Sequence, residues 1–455
     1  MISIVTAAAA AFPISAAEPE LDLTAAAAIL VEQTTGKQLY GKDEYKRMYP
    51  ASMTKILTAL VALDYFKPGE FITLGDELHE TPAHSSIAYL VPGETILFEN
   101  LLRGLLIMSG NDAGCAIAYY VAERVKGVTE MEYDEAEALF SDLMNKKAAA
   151  LGATGSHFTN PHGFHDENHY STAHDIALLS RAFIEVPLLR EIVDEQTFFG
   201  RSAGTNPPAG AMNVEHDWQT HNKLIMEGDE GYYTYAKGIK TGFTNEAGNC
   251  VAAYGEKDGV KLVSVVFFSP DPGVWNDTKT LLGFGFNNFA FVDVQKSGEL
   301  LEQAVINRPR LGSPVVLDIL CQGSFRDFFS KDEAARIKRE ITYDAAFLDE
   351  SDLSQLPGAA VLQAPITKGD VLGKVTYYLD GQVVFTGSAV SAADVYKRTL
   401  GSDFRYYSEL AKKNLFTMDA VPFWAGGAAI LAALTIVVIV RRRGRKRNQG
   451  FSMYR

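Results

Sequence analysis

Apolar residues at Ile56-Leu57, Leu60-Val61 and Leu63 follow the three-and-four spacing of a helix with one apolar face. Leu101 to Met108 and Ala113 to Val121 read as two further helices, buried and joined by a tight connection. The pattern then changes period. Tyr235 to Gly242 reads as a strand, and Cys250 to Tyr254, the turn Glu256-Lys257-Asp258-Gly259 and Val260 to Phe268 read as a hairpin of apolar strands. From about Val292 the runs become short and β-rich: Val315–Leu320, Ile341–Tyr343, Ala359–Leu362, Val371–Leu379 and Val383–Phe385, the last two joined by a turn at Asp380-Gly381. Strands at that spacing predict a small sandwich or barrel.

The two ends of the chain carry a different pattern. Met1 to Ala17 is apolar and uncharged and closes on Ser15-Ala16-Ala17 before Glu18, a small-residue cleavage site of the kind that ends an export signal. No lysine or arginine precedes it, so the signal is expected either to be atypical or to start further upstream. Val421 to Val440 is twenty residues without a charge, about 30 Å as a helix, which is enough to cross a bilayer. Phe423 and Trp424 suit the outer interface, and Arg441 to Arg447 is a basic stop expected on the cytoplasmic side. These features predict a single-pass membrane protein with its body on the extracytoplasmic side.

Charge sharpens that picture. Of 455 residues 42 are basic and 56 acidic, but seven of the basic ones follow Val440, so residues 1–440 carry a formal balance of −21. With no basic stripe interleaved with aromatics, the body is not a nucleic-acid binder. The three cysteines, Cys115, Cys250 and Cys321, are an odd number without metal-type spacing and read as small buried hydrophobes. A Cys115 to Cys250 disulfide is conceivable, and its geometry cannot be judged from spacing.

Candidate chemistry lies in three strings. Ser52-Met53-Thr54-Lys55 sits where the first helix begins, so the Ser52 hydroxyl is expected in the positive field of a helix N-terminus, with Lys55 one turn on and on the same face. A lysine is a base only when neutral, which requires burial and a neighbouring cation; Lys240 is the candidate for that cation. Ser109-Gly110-Asn111 is the connection between two buried helices and offers a hydroxyl and an amide to a cleft. Lys240-Thr241-Gly242 ends a strand in glycine, so a substrate backbone can approach while Lys240 and Thr241 face a carboxylate. Each string alone has a plain alternative: a helix N-cap, a turn, and a solvent-facing lysine on an edge strand.

Taken together the strings resemble the signatures of the low-molecular-mass penicillin-binding proteins that act as serine-type D-alanyl-D-alanine carboxypeptidases, the peptidase S11-like family, relatives of the serine β-lactamases. The resemblance extends through Tyr49–Lys55, Ser109–Ala113, Asn160-Pro161-His162-Gly163, Ser171-Thr172-Ala173 with Asp175, and Gly238–Thr244, and covers Leu23 to Phe291. It implies an α+β fold: a β-lactamase/transpeptidase-like catalytic domain, an antiparallel sheet flanked by a helical cluster, followed by a small all-β domain and the C-terminal transmembrane helix. The expected division is 1–17 signal, 18–291 catalytic domain, 292–391 β-rich domain, 392–419 linker, 420–440 membrane helix and 441–455 basic tail.

By the same resemblance Ser52 is the nucleophile, Lys55 its proton acceptor, and Ser109 and Asn111 the second catalytic element. Lys240, Thr241 and Gly242 then form the wall that receives the peptide's terminal carboxylate. Backbone N–H groups of Ser52 and Phe243 would form the oxyanion hole. Phe243 stands where some relatives carry histidine. The implied substrates are peptidoglycan stem peptides, with β-lactams as inhibitors and no cofactor. The Glu-x-x-Leu-Asn pattern of a class A β-lactamase is absent between Asn111 and Lys240, which favours a peptidase that β-lactams trap.

The residues allow two other readings. His157, His162, His165, His169 and His174 fall within eighteen residues, and the His165/His169 spacing would suit a metal-dependent peptidase on a helix. The flanking residues read as loop and Glu167 is misplaced for a His-Glu-x-x-His helix, so polar loop histidines are the preferred reading. The third reading is an inert, membrane-tethered wall-binding protein, against which the complete nucleophile and base stand.

Overall fold

The computed structural model describes residues 21–348, 360–414, 426 and 430–439. They form two compact units, one comprising the chain through Phe291 with Phe328–Lys331, the other Val292–Asp327 with the residues from Asp332 onward.

The first unit is built on a five-stranded antiparallel sheet. Its strands are β1 (Ala27–Glu32), β2 (Gln38–Lys42), β3 (Ala236–Thr244), β4 (Gly248–Lys257) and β5 (Val260–Ser269), in the order β2-β1-β5-β4-β3. Every residue of β1 is buried, which explains a strand that reads as a continuous apolar run. Alternate side chains enter two separate cores. Ala27, Ile29 and Val31 of β1, with Val263, Val265 and Phe267 of β5, join one core, and Ala28, Leu30, Leu262 and Val266 join the other. The sheet is therefore covered on both faces, a layer more than the sequence reading expected.

On the first face lie α1 (Lys55–Tyr65), α2 (Phe98–Leu106), α3 (Asn111–Lys126), α4 (Tyr133–Ala150), α5 (Ala173–Glu185) and α6 (Pro187–Asp194); on the second lies α7 (Gly273–Asn288). The expected one-sided amphipathic helix at α1 is corrected: Lys55 through Ala62 are all buried, so α1 is the central rod of the helical layer. A helix enclosed on all sides buries whatever it carries, including a lysine.

The second unit contains a six-stranded sheet whose strands run, edge to edge, Lys338–Tyr343, Val371–Leu379, Gln382–Ser391, Val316–Gln322, Leu300–Asn307 and Val361–Gln363. The tight turn at Asp380-Gly381 closes the Val371–Ser391 hairpin as the sequence predicts. Within the stretch expected as a linker, Leu400–Asn414 is helical.

The export-signal segment 1–17 and the basic tail 441–455 lie outside the described residues, as do ten of the twenty-one residues of the 420–440 segment. Of the latter, Gly426 and residues 430–439 are helical, and no helix among the described residues is long and apolar enough to cross a membrane.

Candidate active site

Ser52 lies within a 3-10 turn, Ala51–Thr54, that runs directly into α1. It is not the N-cap residue that the plain reading allowed, since the turn begins after Pro50 and no side chain caps it. Ala51 sits in the left-handed region at φ 46°, a strained conformation for a residue with a Cβ. Ser109, in the connection between α2 and α3, is also left-handed at φ 58°.

Lys55 is completely buried. Its Nζ lies 2.9 Å from Ser52 Oγ, 2.6 Å from Asn111 Oδ1 and 2.8 Å from the carbonyl oxygen of His162. A neutral amine has two N–H bonds and one lone pair. Asn111 Oδ1 and the His162 carbonyl accept the two hydrogens, which leaves the lone pair for the Ser52 hydroxyl proton. Burial drives the Lys55 pKa well below its usual 10.5, and the charge of Lys240 adds to the shift against smaller opposing effects of Cys115 and Asp112.

The supporting groups are held in turn by backbone hydrogen bonds. Asp112, at the start of α3, accepts from the N–H groups of Ala88, Leu90 and Ala113, and Asn111 N–H donates to the Ser86 carbonyl at 2.8 Å. Asn160 Oδ1 accepts from Gly163 N–H at 2.7 Å, and its amide donates to the Phe164 carbonyl, closing the loop that aims the His162 carbonyl at Lys55. Thr58 of α1 donates to the Pro161 carbonyl on the same loop. Only glycine fits at 163: its φ is +82°, and a Cβ there would stand 1.8 Å from the Ala51 carbonyl oxygen.

The opposite wall is β3, the edge strand of the sheet. A Cβ on Gly242 would lie 2.9 Å from the Pro50 carbonyl and 3.2 Å from Ser52 N, so glycine lets the strand close on the nucleophile's backbone. Lys240 is 2% exposed, which removes the solvent-facing reading, and its Nζ donates to the Thr241 carbonyl at 3.0 Å. Burial brings its pKa down to about 7. Between these walls lies a cleft of about 640 Å³ lined by Ser52, Ser109, Asn111, Thr241, Gly242 and Phe243 among others, with the Phe243 side chain 63% exposed. All eight residues singled out in the three strings and at Phe243 therefore converge, six on the cleft surface and the two lysines buried.

The histidines have other partners. His169 Nδ1 accepts from Thr159 N–H, so in the neutral ring Nε2 carries the proton and donates to Thr54 Oγ1 at 2.8 Å. Burial lowers the His169 pKa to about 3 and drives His162 well below its usual value. His165 instead sets its ring edge-on to Tyr49. Among the described residues no group of three His, Cys, Asp or Glu side chains is placed to hold a metal. His162, His165 and His169 are loop residues near the cleft, as the sequence reading has it, but His162 and His169 are buried at 4% and 2% exposed, and His169 bonds to the turn that carries Ser52. Cys115, Cys250 and Cys321 are buried and free, without the conceivable disulfide.

The motif reading missed how the site is supported. The His162 carbonyl, the Asp112 carboxylate and the Thr54–His169 bond hold Lys55 and Ser52 in place, and none is visible as a residue type at a spacing. Asn160-Pro161-His162-Gly163 signals a turn, but which carbonyl it presents depends on tertiary packing.

A sequence profile described as D-alanyl-D-alanine carboxypeptidase matches residues 13–270, more than half of the chain. The chain belongs to the D-alanyl-D-alanine carboxypeptidase family. A second profile, penicillin-binding protein 5, C-terminal domain, matches residues 324–397. The chain is 28% identical over 384 residues to D-alanyl-D-alanine carboxypeptidase DacF of Bacillus subtilis, covering 83% of this chain and 87% of that one. It is 30% identical over 266 residues to DacB2 of Mycobacterium tuberculosis, 57% of this chain and 81% of that one. Among solved structures, penicillin binding protein 5 from Haemophilus influenzae aligns with a TM-score of 0.56 at 25% identity, over 83% of this chain and 99% of that one.

With Lys55 as the base and Lys240 as the carboxylate site, the roles that the resemblance implies, kcat/KM should follow a bell-shaped pH profile, which reports the free enzyme. Lys55 works only when neutral, so the rate rises with pH through its lowered pKa. Lys240 attracts a carboxylate only when charged, so the rate falls as pH passes about 7. Lys240→Arg stays charged beyond about pH 12 and should move the fall to much higher pH while leaving the rise in place. An alkaline limb unchanged in Lys240→Arg would show that another group governs it.

Proposed function

We propose that this enzyme removes the terminal D-alanine from peptidoglycan stem peptides through an acyl-enzyme on Ser52, and that β-lactams acylate the same oxygen. The observation that carries this reading is the Lys55 Nζ 2.9 Å from Ser52 Oγ with its other two contacts on fixed acceptors.

Ser52 Oγ attacks the carbonyl carbon of the penultimate residue while its proton passes to the Lys55 lone pair. The resulting oxyanion takes hydrogen bonds from the N–H groups of Ser52 and Phe243, a reading supported by the close approach of Gly242 to Ser52 N. Lys240 and the Thr241 hydroxyl hold the carboxylate of the leaving residue, and docking of that anion favours the charged form of Lys240. A charged Lys240 in turn disfavours a proton on Lys55. When the C–N bond breaks, the Lys55 proton reaches the departing amine through the Ser109 hydroxyl, and Asn111 orients the substrate amide. Water then attacks the ester and gives its proton to Lys55, which passes it to Ser52 Oγ as the acyl C–O bond breaks.

We also infer that the enzyme works outside the cytoplasm on a single-pass anchor, with the 292–391 region as a spacer. This rests on the twenty uncharged residues of Val421–Val440 and the basic cluster that follows.

Intact-mass measurement after incubation with benzylpenicillin should show one adduct on the wild type and none on folded Ser52→Ala. Lys55→Arg should lose acylation by about a hundredfold or more. An adduct retained by Ser52→Ala would move the nucleophile elsewhere. For the anchor, full-length protein should stay with membranes through a high-salt wash, whereas a chain ended at Leu415 should be soluble and still bind penicillin. Release of the full-length protein by salt alone would reduce the attachment to surface electrostatics.

A further inference from the structure

The direction of β3 orders the substrate along the cleft. Under the proposed chemistry, on which this inference rests, Lys240 takes the terminal carboxylate and Phe243 N–H takes the reacting carbonyl. An extended peptide lying along that edge, at about 3.3 Å per residue, then sends its acyl arm past Phe243 toward the β3–β4 turn. Asn245 and Glu246 of that turn line the cleft.

Glu246 is the one carboxylate among the described residues lining the cleft; the other ionisable side chains there are histidines and Cys250. It is exposed, and among the described residues it makes no ion pair or hydrogen bond. Its neighbours are fixed on both sides: Thr244 pairs with Gly248 across the hairpin, Thr244 Oγ1 accepts from Ala247 N–H at 3.0 Å, and Ala247 is 1% exposed. The turn thus presents an unpaired anion from a fixed backbone at the acyl-arm end. Beside it the exposed Phe243 ring offers an apolar surface on which the methylene stem of a long cationic side chain can lie.

We propose that Glu246 is a specificity-determining residue that favours stem peptides whose acyl arm carries a positively charged side chain. The side chain class is an aliphatic stem ending in an ammonium group. Because both partners stay in water, the preference is modest and salt-sensitive.

The test compares kcat/KM for D-alanine release from Nα-acetyl-L-Lys-D-Ala-D-Ala and from its Nε-acetylated counterpart, which lacks the charge. At low ionic strength the wild type should favour the charged peptide by roughly two- to fivefold. That ratio should shrink toward one in high salt and in Glu246→Gln, and persist in Glu246→Asp. Acylation of Glu246→Gln by benzylpenicillin reports that its cleft is folded. A wild-type ratio of one at low salt, or a ratio that survives Glu246→Gln, would overturn the assignment while leaving the catalytic reading intact. An equal fall for both peptides in Glu246→Gln would also overturn it. Failure of the wild type to release D-alanine from either peptide would instead overturn the catalytic reading.

Discussion

A primary amine enclosed in the helical layer is the constraint around which this site is arranged. Taking an ammonium ion out of water is so costly that burial without a carboxylate contact lowers a lysine's pKa, and a second cation nearby lowers it further. Lys55 has two oxygen acceptors and a serine hydroxyl within reach, and the charge that acts on it most strongly is that of another lysine, Lys240. The oxygen contacts can serve either protonation state; burial and the charge of Lys240 are what disfavour the ammonium. The depressed basicity follows from enclosing α1 on all sides, and the direction of the lone pair follows from assigning both hydrogens to Asn111 and the His162 carbonyl. Catalytic character and fold are therefore one arrangement here, since opening α1 to solvent would restore an ordinary surface lysine.

Holding the nucleophile against that amine requires close approaches that few residues permit. Two glycines supply them from opposite directions, Gly163 against the Ala51 carbonyl and Gly242 against the Pro50 carbonyl and Ser52 N. Between them Ala51 is kept at a positive φ. Strain of this kind persists only where the surroundings over-determine it, and the Asn160–Phe164 loop, the Thr54–His169 bond and the edge strand do so.

Much of this was legible in sequence because its chemistry is local. The spacing of Ser52 and Lys55, the Ser109–Asn111 connection and the strand ending at Gly242 each place a reactive group on an element that the hydrophobic pattern predicts. Tertiary packing decided the rest. The pattern of α1 reads as a one-faced helix because its polar positions are filled by Lys55, Thr58 and other groups whose hydrogen bonds come from loops distant in sequence. The second helical layer on the sheet was missed because buried strands look alike whether one or both faces are covered. The histidine crowd suggested metal spacing in one dimension; in three, each ring turns to a different partner.

The dependence of this chemistry on a lysine that titrates well below the ordinary value is the decisive point. It is tested most directly by following the carbon-13 chemical shift of Lys55 Cε with pH in selectively labelled enzyme, the signal assigned by its absence in Lys55→Arg. The expected result is a midpoint well below the usual lysine value of 10.5. A Lys55 signal that titrates near 10.5 would contradict it, because a permanently charged Lys55 cannot take the Ser52 proton.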